Sequence, residues 1–83
     1  MIWVTEVNAR PDYGLWLRFS DGAQGSVDLR EFIFADTRPV VLALRDPAVF
    51  AAVRVDMDTV AWANGFDLAP EFLYARVRAR ESA

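Results

Sequence analysis

Cysteine, histidine and lysine are all absent from this chain. Without cysteine there is no disulfide framework, no thiolate nucleophile and no zinc finger. Without histidine the commonest general base and the commonest imidazole metal ligand are missing. Without lysine, Schiff-base chemistry and the phosphate-binding lysine of a P-loop are excluded. All nine basic residues are arginine. No stretch approaches the ~20 apolar residues needed to cross a bilayer. The start, Met1-Ile2-Trp3-Val4-Thr5-Glu6, lacks the basic region and long apolar run of a signal peptide. We therefore expect a cytoplasmic protein with no membrane contact. The net charge is −3 and the pI near 4.7. Binding phosphates needs a concentrated basic face, and here arginine is interleaved with aspartate and glutamate, so nucleic acid is not an expected partner.

What is present is a small globular composition. The chain has 83 residues, of which 54% are hydrophobic and 13% aromatic. That is one domain, residues 1–83, with a thin core. The first half reads as strands. Ile2–Ala9 is rich in β-branched and aromatic residues, and Arg10-Pro11-Asp12-Tyr13-Gly14 is a turn bracketed by proline and glycine. Leu15, Leu17 and Phe19 alternate with Trp16, Arg18 and Ser20, as in a half-buried strand. Asp21-Gly22 then signals a hairpin in which both central positions adopt positive φ. Gly25, Val27 and Leu29 share one face of a third strand. These three strands make an antiparallel meander.

The middle is helical but broken. Asp28 and Glu31 look like a capping box for a helix carrying Phe32 and Ile33. Val40–Leu44 reads as a helical turn or an extended link. Asp46-Pro47 starts a helix that runs to about Ala52, with Asp46 as cap and Pro47 in the first turn. A second hairpin follows: Val53–Val55, a turn at Asp56-Met57-Asp58, and Thr59–Trp62. Asn64-Gly65 ends it. The last helix starts at Pro70, with Leu73 and Val77 on one face and Leu68 stapled onto Leu73. The expected fold is α+β: an antiparallel sheet of about five strands with a C-terminal helix on one face.

Several residue groups resemble a known family. They are Phe19-Ser20-Asp21-Gly22, Asp28-Leu29, Leu44–Phe50, Val53–Asp56, and Val60–Glu71 with Leu73-Tyr74. Their most specific part is Trp62-x-Asn64-Gly65-x-Asp67-Leu68-x-Pro70. Together they resemble the bacterial family called domain of unknown function 2442, across roughly Val4 to Tyr74. The resemblance implies a small α+β fold; no catalytic residues are established for the family, so none carry over. Some members carry a helix-turn-helix segment after this domain, and a regulatory or antitoxin-like role beside another small protein is the expectation for this chain. Others are encoded beside a second small protein, as in a toxin–antitoxin pair. This chain ends at Ala83, so a direct DNA role is not expected of it.

Two groups of residues are candidates for function. Trp16 alternates with the core positions and so lies on the sheet's second face. Trp3 and Arg18 fall on the same neighbourhood of predicted strands. One layer of helices cannot cover both faces of a sheet, so Trp3, Trp16 and Arg18 are the expected partner-binding residues. They would serve a homodimer or a second small protein. The other group is the turn holding Trp62, Asn64, Gly65 and Asp67, a candidate small-ligand site. Turn chemistry also explains each of those residue types. Asp56 and Asp58 are too few for a calcium site. Ser20 and Ser26 have no histidine to activate them. Arg76, Arg78 and Arg80 read as dipole-compensating cations at a helix end. No catalytic residue, metal or cofactor is expected.

Overall fold

A computed structural model describes residues 1–82, and side chains as far as Ala79. Strands β1 (Val4–Arg10), β2 (Gly14–Phe19) and β3 (Gln24–Asp28) form an antiparallel sheet in that order. The alternation along β2 sets its two faces. Leu15, Leu17 and Phe19 are at most 1% exposed, whereas Arg18 is open to solvent. Two helices follow, α1 (Arg30–Ala35) and α2 (Pro39–Leu42), then a single 3₁₀ turn and α3 (Pro47–Ala51). Strands β4 (Arg54–Asp56), β5 (Thr59–Ala61) and β6 (Asp67–Leu68) form a second antiparallel sheet. Helix α4 (Pro70–Ser82) closes the chain.

The α+β class and the C-terminal helix are as expected. The single sheet of about five strands is in fact six strands in two sheets. The added strand, β6, is two residues long, too short to show a period. It forms because the chain turns back after Ala63–Gly65 and pairs Asp67 with Ala61. The sheets meet where the Val4 N–H donates to the Asp58 carbonyl at 2.9 Å.

Other differences are local. Helix α1 begins one residue later than a capping box would place it. Leu29 is its N-cap and has no side-chain bond to give, while Asp28 Oδ1 still accepts from Arg30 N–H at 2.9 Å. Strand β3 runs through Asp28 and keeps that residue extended. In the β1–β2 turn the left-handed residues are Asp12 (φ 63°) and Tyr13 (φ 67°), not Gly14. Tyr13 is held there by its hydroxyl, which donates to the Arg45 carbonyl, and by edge-on contacts with Phe34 and Phe50. The link around Val40–Leu44 is helical, and Asp46 caps α3 by accepting from Ala48 N–H at 2.9 Å.

One turn design occurs twice. Phe19 N–H donates to Ala23 O, and Gly22 N–H to Phe19 O. Trp62 N–H donates to Phe66 O, and Gly65 N–H to Trp62 O. In both, the glycine alone takes the left-handed conformation, Gly22 at φ 90° and Gly65 at φ 94°. This is a three-residue loop closed by a glycine bulge. It replaces the two-residue Asp-Gly turn expected at Asp21-Gly22, where both residues would have had positive φ. The residue before each glycine braces its loop: Asp21 Oδ1 accepts from Ala23 N–H, and Asn64 Oδ1 from Phe66 N–H.

The core lies between the sheets and the helices. It includes Leu15, Leu17, Phe19, Ile33, Val41, Leu44, Phe50, Val60, Trp62, Leu73 and Val77. Each such side chain contributes about 1.5–3 kcal/mol when taken out of water. Helix α4 comes closest at Gly25, where a β-carbon would stand 2.9 Å from Val77 Cγ1. All this covers one face of the first sheet. Among the described residues nothing covers the other face.

Candidate interaction surface

The register of β1, β2 and β3 places the open-face residues in rows. Glu6, Arg18 and Gln24 form one row, Asn8, Trp16 and Ser26 the next, and Arg10, Gly14 and Asp28 the third. Arg18 organises the first row. Its Nη1 lies 3.2 Å from Glu6 Oε1, and its Nε and Nη2 both donate to Gln24 Oε1, at 3.2 and 3.1 Å. The same guanidinium sits 5.4 Å from the centre of the Trp16 ring. Trp16 is thus a partly exposed indole in a flat polar surround, with a cation against its face.

Trp3 precedes β1 and pairs with Ser20. Its N–H donates to Ser20 Oγ at 3.2 Å, and its carbonyl accepts from Ser20 N–H at 2.9 Å. It is 41% exposed. Ser20 lies four residues from Trp16 along the chain, about 13 Å of extended strand. Arg18 stands between them. The structure therefore brings Trp3, Trp16 and Arg18 to one region but does not join the two indoles into a patch. Sequence reading missed Glu6, Gln24, Asn8 and Ser26, because they are identified only by strand register.

The Trp62–Asp67 turn is built into the scaffold. Trp62 is 2% exposed, donates Nε1–H to the Phe50 carbonyl at 3.0 Å, and packs against Phe50 and Phe66. Asn64 Nδ2 donates to the Val40 carbonyl at 2.9 Å, tying the turn to α2. Asp67 is exposed on β6, and its side chain makes no hydrogen bond or ion pair among the described residues. A shallow groove of about 430 Å³ runs beside the turn, lined by Ala43, Ala48, Val49, Ala52, Ala63 and Asn64. Neither Trp62 nor Asp67 lines it.

The Asp21 carboxyl is held below its ordinary range, chiefly by the Tyr74 hydroxyl that donates to it at 2.7 Å. The Asp36 carboxyl is lowered by hydrogen bonds from Arg38. Both shifts run away from the near-neutral range that suits a general acid or base. Among the described residues no three acids are grouped to hold a metal ion. No helix among them is long and apolar enough to cross a membrane.

The family described as "Protein of unknown function (DUF2442)" matches residues 4–79. The chain belongs to this family. No curated protein matches it. Among solved structures, DUF2442 architecture is matched by "Putative DNA Binding Protein NE0471" from Nitrosomonas europaea, with a TM-score of 0.80 and 23% identity. The match covers 99% of this chain and 52% of that one, so the chain spans about half of its length. At that identity the likeness is one of fold. Neither comparison brings in an enzyme family.

Proposed function

We propose that this chain is a non-catalytic interaction module whose open sheet face docks a protein partner. The observation that carries the reading is Trp16, partly exposed on an uncovered face and ringed by Asn8, Ser26 and Arg18. Tryptophan and arginine dominate the binding energy of protein interfaces, above all where polar groups surround an aromatic anchor. The complementary partner is a small protein offering an apolar pocket for the indole and hydrogen-bonding groups around it. A regulatory pair with a second small bacterial protein suits that chemistry. A ligand-sensing role for the Trp62–Asp67 turn has less support, since Trp62 is sealed in the core and Asp67 stands away from the groove.

The name of that structural neighbour raises DNA as a ligand. On this chain's open face, Arg10 and Arg18 are balanced by Glu6 and Asp28, which is not a phosphate-binding stripe. Co-purification from the native host, run in parallel with wild type and Trp16→Ala, tests the proposal. The expected result is a protein retained by wild type and lost by the variant, with an unchanged circular dichroism spectrum. Equal retention by both overturns it, as does binding of a short DNA duplex that persists at physiological salt.

A further inference from the structure

The first sheet ends on β3 in a row of main-chain groups with no partner among the described residues. Phe19 N–H donates to Ala23 O at 2.8 Å, and Leu29 N–H to Tyr13 O at 3.0 Å. By alternation, Ala23, Gly25, Val27 and Leu29 turn their N–H and C=O groups toward β2. Those of Gln24, Ser26 and Asp28 therefore point outward. Among the described residues no other element bonds to them. The edge on β1 is different. It carries a bulge between Val4 and Glu6 and donates to Asp58 O, so it is twisted and engaged. Strand β3 has no bulge and no proline, and its inward residues, Gly25 and Val27, carry no charge. These are among the usual devices that keep an edge from pairing, and β3 lacks them; its one charge, Asp28, stands at its end. Helix α4 meets β3 from the inward side, at Gly25, and so lies under the strand.

We infer that β3 pairs with β3 of a second copy of this chain, antiparallel about a two-fold axis at Ser26, to form a continuous six-stranded sheet. The side chains suit this occupant. Ser26 meets Ser26 of the second copy at the axis, a small polar pair. Gln24 meets the second copy's Asp28, an amide against a carboxylate, and the symmetry repeats that pair. Each of these outward pairs can exchange two main-chain hydrogen bonds. A register moved so that Asp28 met Asp28 would place like charges in direct opposition. The pairing stands apart from the Trp16 reading, but it has a consequence for it. Trp16 and Ser26 share a row, so the two Trp16 indoles would stand three strand spacings apart, about 14 Å, on the same face. The docking face would be doubled and left open.

Sedimentation equilibrium of the full chain, from micromolar concentrations to about 1 mM, tests the pairing. A reversible dimer is expected. Ser26→Pro removes the N–H at the axis while leaving every bond to β2 in place, since proline is tolerated on an edge strand, and it should abolish the dimer. Gln24→Glu keeps an acceptor for Arg18 but sets two like-charge pairs across the axis, and should weaken the dimer roughly tenfold at low salt. Trp16→Ala should dimerise as wild type does. A wild type that stays monomeric throughout overturns the inference and leaves the Trp16 proposal standing. A dimer that Gln24→Glu does not weaken, or that Trp16→Ala abolishes, places the contact elsewhere and equally overturns it.

Discussion

Of the four glycines Gly25 has the least room for a side chain, and replacing it tests how α4 is seated. An alanine there would bring its β-carbon 2.9 Å from Val77 Cγ1, closer than real β-carbons approach anything. Val77 is 1% exposed. As a β-branched residue in a helix it has one strongly preferred rotamer, so its methyl cannot swing clear. Overpacking of this kind costs about 1–3 kcal/mol. Replacing a glycine within a strand returns about 0.5–1 kcal/mol. Gly25→Ala should therefore destabilise the fold by about 0.5–2 kcal/mol, at about 4–8 °C in Tm per kcal/mol for a domain of this size. Val77→Ala removes two buried methyl groups and should cost about 2 kcal/mol. In the double variant the new methyl occupies space the old ones left, so the two losses should fall short of their sum by about 1 kcal/mol or more. Urea unfolding followed by tryptophan fluorescence reads all four proteins. A Gly25→Ala protein as stable as wild type, or strictly additive losses, would refute this account of the contact.

Two further outcomes follow from the turns. Met57 (φ 50°) and Asp58 (φ 70°) form the two-residue tip of the β4–β5 hairpin, and Met57 is 91% exposed. Both positions favour Asn-Gly, so Met57→Asn with Asp58→Gly should raise stability by about 0.5–1 kcal/mol. An unchanged or lower urea midpoint would show that the tip is unstrained. The Asp21 carboxyl is lowered in the folded state by Tyr74, so its contribution is present at neutral pH and lost as pH falls through that depressed value. Tyr74→Phe should therefore be less stable than wild type at pH 7. The gap should narrow as pH falls below about 4, and a constant gap in melting temperature across that range would contradict the assignment.

Much of the fold was legible because it is written in local patterns. The alternation at Leu15, Leu17 and Phe19 revealed both the buried face and the outward position of Trp16. Asp46-Pro47 and Pro70 marked helix starts through their own backbone chemistry. What could not be read depends on residues far apart in the chain. Two-residue β6 has no period and exists only because Asp67 lies beside Ala61. The split into two sheets, the Glu6–Arg18–Gln24 row and the bond from Asn64 to Val40 all require the register or the packing first. Tyr13 is the clearest case. Nothing local favours a positive φ in a tyrosine, and it is imposed by Arg45, Phe34 and Phe50 from elsewhere.

The Asn64-Gly65 pair also has a chemical lifetime. Asparagine followed by glycine loses ammonia when the glycine nitrogen attacks the asparagine side-chain carbonyl. That attack needs a freedom of movement which this loop withholds: Gly65 N–H is committed to Trp62, and the Asn64 amide is clamped between Val40 and Phe66. The closed loop hinders that attack, and the carboxylate it would produce could no longer donate to Val40. Residue 64 should therefore deamidate more slowly in the folded chain than in the unfolded one.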